Sequence, residues 1–252
     1  LPGTLRIVMT SRNDPPIGLA RLRARGDLAE IRSGDLRFSD DDAAALLNGA
    51  TGLELPAGQV AALRSRTEGW AAGLYLAGLS LRGRDDADAF IADFAGDDRM
   101  VVDYLAAEVL EGQAPERRDF LLRTAVLGRL SGPLCDAVTG ASGSARVLEE
   151  LERSNLFLVP LDNRREWYRY HHLFGELLRH ELTLARPGEV PGLHRAAARW
   201  HLDAGNIDEA IHHSAAGGDL EGAADLIAEN WAGNERSGWP ATTQGWLAPL
   251  PP

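Results

Sequence analysis

The stretch "WYRYHHLFGELLRHEL", Trp167–Leu182, decides how this chain is read. Its aromatic run, Trp167–Tyr170, suits a strand, and from the histidines onward the leucines fall at helical spacing. Just upstream, "NLFLVPLDNRRE" supplies an apolar strand, Leu156–Pro160, and a polar turn, so the two runs read as a hairpin. Three helical segments are expected between Pro115 and this hairpin, and one helix after it. Helices, hairpin and helix in that order resemble a winged helix. At the junction sit two adjacent histidines, His171 and His172, which could ligate a metal, move a proton, touch a phosphate or simply pack.

Outward from that junction the chain is 252 residues long, enough for sizeable cores, with 44% hydrophobic and 25% charged residues. No apolar run approaches the roughly 20 residues that span a bilayer, so no membrane partner is expected. A single cysteine, Cys135, excludes an internal disulfide and fits a reducing, cytoplasmic setting. The net charge of −11 argues against a main nucleic-acid surface. All 26 basic residues are arginine. Without lysine there is no Schiff-base nucleophile and no Walker A loop.

Upstream, "TLRIVMTSR" (Thr4–Arg12) reads as a short buried strand and "LAEIR" (Leu28–Arg32) as a second, with a short helix, Leu19–Arg25, between them. Ser39 followed by three aspartates marks a helix N-cap. A longer helical pattern runs from Pro56 through a glycine–tryptophan corner, Gly69–Trp70, and two more helices fit Asp86–Phe94 and Arg99–Glu111. Downstream of "ARPGEVPG", two similar units place Gly-Asn or Gly-Asp before an Ala-rich amphipathic helix, the pattern of a tetratricopeptide-type solenoid.

The chemistry-bearing residues do not assemble into a catalytic set. HExxH, GxSxG and GxGxxG are all absent. Neighbouring helical histidines point about 100° apart, so neither His171–His172 nor His212–His213 chelates one ion, and no metal site is expected. Cys135 has no basic neighbour and reads as a small buried apolar residue. Paired acids such as Asp40–Asp42 read as helix starts. Arg12 stands at a strand end, where α/β sheets bind ligands and a guanidinium fork suits phosphate oxygens; a solvated arginine is the plainer reading.

The segments "RIVMTSRNDPPIGLARLRARGDLAEIRSGDLRFSDDDAAALL", "TEGWAAGLYLAG", "LLRTAVLGRLSGPLCDAVTG" and "LEELERSNLFLVPLDNRREWYRYHHLFGELLR", with the repeats from His194, resemble the MalT-like branch of the STAND signal-transduction ATPases. The resemblance covers nearly the whole chain. It implies a mainly α fold with a small α/β portion, divided into the edge of a nucleotide-binding domain (1–38), a helical lid (39–112), a winged helix (113–187) and the start of a helical-repeat arm (188–252). It implies that Arg12 senses a nucleotide phosphate, that Gly69 and Trp70 form a lid contact, and that His171 holds the β-phosphate of ADP. Ala71 and Ala72 depart from the proline common after that lid motif.

The resemblance further implies a nucleotide-gated switch that couples signal binding to transcription, with ATP or ADP held by the parent protein and none tightly by this stretch. The expected partners are an upstream nucleotide-binding portion carrying the Walker motifs, an inducer or protein at the repeats, and DNA only through a further C-terminal domain. Two other readings stay open. One is an interaction scaffold without nucleotide binding; the other is a regulatory region fused to a kinase or cyclase.

Overall fold

The computed structural model describes residues 6–236, except 12, 13, 16, 85 and 97, together with Trp246. Among these residues the chain is mainly α, and its strands are confined to one short hairpin. They form two compact units. One comprises residues up to Phe94 with Glu149–Val159; the other comprises Ala95–Leu148 with the residues from Pro160 onward.

The first unit opens with α1 (Leu19–Arg25), closed by Gly26 in the left-handed conformation at φ 71°. The strand expected at Leu28–Arg32 does not form; the segment is irregular. Salt bridges fix it instead. Glu30 accepts from Arg23 at 2.5 Å and from Arg32 at 2.6 Å, and Arg32 also reaches Asp14 at 2.6 Å. The strand expected over Thr4–Arg12 has no partner where it is described: residues 6–11 join no ladder, and Val8 is 93% exposed. A strand is stable only when a neighbour takes up its backbone hydrogen bonds, and no described strand lies beside either segment.

Ser39 caps α2 (Asp40–Ala44) through a complete capping box with Asp42. A π-helical turn, Ala45–Ala50, follows. The unit continues with α3 (Ala57–Arg66), α4 (Ala71–Leu81) and α5 (Ala87–Asp93), the last capped by the Asp86 side chain. Leu47, Leu63, Leu74 and Phe94 are buried in it, each contributing about 1.5–3 kcal/mol of apolar burial. Gly78 lets α4 approach Thr51, because a Cβ there would stand 2.7 Å from the threonine methyl.

Next come α6 (Arg99–Leu105), a π-helical turn (Ala106–Leu110), α7 (Pro115–Thr124), α8 (Gly132–Thr139) and α9 (Ser144–Arg153). The hairpin pairs β1 (Leu158–Pro160) with β2 (Tyr168–Tyr170). Its turn is held by Asp162, whose carboxylate accepts from the backbone N–H groups of Arg164 and Trp167 at 2.8 Å each. Leu130 adds a third rung, exchanging backbone hydrogen bonds of 2.8 and 2.9 Å with Tyr168. Below it, the Tyr170 hydroxyl meets Thr124 Oγ1 at 2.7 Å, and burial raises that phenol's pKa well above its usual range.

Then α10 (His172–Ala185) buries Leu173, Phe174, Leu177, Leu178 and Leu182. The repeats follow as α11 (Val190–Asp203), α12 (Ile207–Ala216) and α13 (Leu220–Arg236). Short turns at Gly205 (φ 75°) and Gly218 (φ 82°) fold each helix back on the one before. Ile211, Ala223, Ile227 and Trp246 share a core, and the Trp246 indole donates to Asp208 at 2.6 Å.

Candidate functional site

The glycine–tryptophan corner is built by backbone necessity. Gly69 adopts φ 71° and accepts from the Phe38 N–H at 2.8 Å. A Cβ on Gly69 would lie 2.8 Å from the Phe38 carbonyl oxygen, so any other residue pushes the two segments apart. Trp70 then takes the N-cap position of α4, followed by Ala71 and Ala72 in its first turn. Its half-buried ring meets Phe157 edge to face, with centroids 5.1 Å apart. This contact joins residues distant in sequence, and no spacing rule revealed it.

The two junction histidines separate in role. His171 is the N-cap residue of α10, 6% exposed, and its side chain makes no capping hydrogen bond. It therefore stands beside the first N–H groups of a 14-residue helix, whose dipole favours an anion. His172 lies on the exposed side, with Nε2 3.0 Å from Glu176 Oε1 one turn on. The other Glu176 oxygen accepts from the Gly96 N–H at 2.6 Å. Gly96 is packed so tightly on α10 that a Cβ would fall 2.0 Å from the Leu173 carbonyl oxygen.

Of the expected nucleotide contacts, Gly69 and Trp70 thus belong to the first unit and His171 to the second. Arg12 lies outside the described residues. Cys135 is fully buried in α8, where burial and the adjacent Asp136 push its thiol up to about 12, leaving it inert.

A grouping that the spacing argument did not weigh occurs in the repeats. His201 near the end of α11, with Glu209 and His213 on α12, offers ligand atoms that all lie within 4.8 Å of one another. The His201 and His213 rings stack nearly parallel, 7° apart, with centroids at 5.5 Å. His194 Nδ1 meets His213 Nδ1 at 2.8 Å. Burial lowers the pKa of His213 from its ordinary 6.5 to about 3, helped by the surrounding histidines; it also lowers those of His194 and His201. The signal was present in sequence as Glu209 and His213 at i,i+4, one face of a helix, with His201 just across the Gly205 turn.

Where α10 meets the repeats there is a cavity of about 320 Å³, lined among others by Val126, Arg179, Thr183, Val190, His194 and His212.

Residues 106–190 match the family described as the MalT winged helix domain. Over 228 residues, 90% of its length, the chain is 36% identical to the HTH-type transcriptional regulator MalT of Klebsiella pneumoniae. The chain is thus similar to MalT-like proteins over most of its length, and its residues 106–190 match their winged helix domain. This MalT-like chain is also 39% identical, over 226 residues and 90% of its length, to the serine/threonine-protein kinase PknK of Mycobacterium tuberculosis; the PknK of Mycobacterium bovis matches to the same degree. It spans about a quarter of the MalT relative and about a fifth of the PknK relatives. Among the described residues, no helix is long and apolar enough to cross a membrane.

Proposed function

We propose that this MalT-like chain is the regulatory core of a nucleotide-gated switch, in which a resting state held by ADP is opened by a signal received at the helical repeats. The observation that carries this reading is the place of His171: a buried imidazole at the N-cap of a long helix, whose dipole favours an anion. Such a group suits a phosphate oxygen. The nucleotide, when bound, would supply the negative charge that this position suits. Gly69 fixes the backbone at the head of α4, where Trp70 packs against Phe157. The chain has no lysine, so none of its own residues forms a Walker A loop. The cavity beside His194 and His212 is where a signal on the repeats would reach α10.

The matched relatives favour two outputs for one switch, since one is called a transcriptional regulator and the other a kinase. Transcriptional activation is the main reading; control of a fused kinase is the second, supported by the PknK identity. The test is His171→Ala in the full-length parent. Less ADP should co-purify with the variant, and its output should rise without signal. Equal ADP content with signal dependence intact would refute the switch.

A further inference from the structure

We propose that His201, Glu209 and His213 form a binding site for a divalent transition-metal ion of the zinc type, which staples the first helical hairpin of the repeat arm. Three geometric observations carry this. The ligand atoms already lie within 4.8 Å of one another, against about 3.3 Å along the edge of a tetrahedron whose metal–nitrogen bonds are near 2.0 Å. Closing that gap needs only a rotation of the exposed Glu209 side chain and a turn of one imidazole out of its parallel stack. His201 is 5% exposed, and its buried Nδ1 finds no hydrogen-bond partner among the described residues. A buried imidazole nitrogen left unpaired is costly, and a ligating role or a small turn toward the ion removes that cost.

The surroundings supply the support that metal-bound histidine needs. In the bound form His213 donates from Nδ1 to Nδ1 of His194, the 2.8 Å contact already in place, and this presents the Nε2 lone pair. Nε2 faces the Glu209 carboxylate at 4.0 Å, wide enough for an ion to enter between them once the glutamate closes. Two histidines and a glutamate make three protein ligands and leave a fourth position for water. His212, exposed on the neighbouring face of α12, takes no part.

The test titrates the full 252-residue chain, freed of metal by a chelator, with Co²⁺ and then Zn²⁺. One Co²⁺ per chain should bind, with the visible absorption of a tetrahedral site, and Zn²⁺ should displace it. His194→Ala removes only the supporting hydrogen bond and should weaken binding roughly tenfold; Glu209→Gln removes a ligand and should weaken it about 100-fold or more. Because Glu209 is exposed, Glu209→Gln keeps the fold, which an unchanged circular dichroism spectrum verifies. Co²⁺ binding to Glu209→Gln as tight as to the wild type would overturn the proposal, as would a wild-type chain that binds no Co²⁺ at micromolar concentration.

Discussion

Two histidine groups sit in the second unit, and they differ in how the chain builds them. At the start of α10, His171 and His172 are adjacent in sequence and diverge in space: one is buried at the helix N-cap, the other pairs with Glu176 at the surface. In the repeats, His194, His201 and His213 are spread along the sequence and converge, two of them stacked and two in hydrogen-bond contact. Adjacency on a helix separates side chains, while a tight turn between two helices brings distant ones together. The adjacent pair is therefore split between a buried N-cap and a surface ion pair, while the separated trio is brought together by the helix turn.

This contrast can be broken region by region. The largest effect is expected at the α10 end. Gly96→Ala drives a methyl group into the Leu173 carbonyl, and chemical denaturation should register a loss of about 3 kcal/mol. The repeat histidines should keep their contacts in whatever fraction stays folded. A loss below 0.5 kcal/mol would mean that the approach of Gly96 to α10 is not needed.

A smaller effect, confined to the repeats, follows from burial. Folded His213 holds no proton until about pH 3, whereas the unfolded chain takes one up below about 6.5. The unfolded state then binds more protons, so stability falls as pH drops from about 6.5 toward 3 and is unaffected above that window. In chelator-treated protein, His213→Gln should show a shallower decline over this range by thermal melting. An identical decline would mean that His213 is not the group responsible. The smallest effect belongs to His172→Ala, which removes a surface pair and should change stability by about 0.5 kcal/mol or less. A larger loss would show that His172 is structurally coupled to Gly96 through Glu176.

The parts of the molecule that could be read from sequence are those set by local chemistry. Ser39 announced its helix N-cap, Leu19–Arg25 its helix, and the polar run after Pro160 the hairpin turn, because each needs partners only a few residues away. Gly205 and Gly218 likewise marked the repeat turns. Leu28–Arg32 misled because a short run with alternating apolar residues becomes a strand only if another strand lies beside it; here Arg23 and Arg32 gather around Glu30 instead. The contact of Trp70 with Phe157 and the convergence of His201 with His213 depend on tertiary packing and left only faint traces in spacing. Of the candidate site, a helix beginning at the paired histidines was legible but not that His171 would be its N-cap; the metal-type grouping showed only as Glu209 and His213 at i,i+4, since the turn that brings His201 across had to be folded first.

The most direct measurement is the rate of ADP release from the full-length parent, with wild type, His171→Ala and Glu209→Gln compared side by side. The account predicts release about tenfold faster or more from His171→Ala, a loss of one charge-assisted phosphate contact, and wild-type release from Glu209→Gln. Release from His171→Ala at the wild-type rate would contradict it.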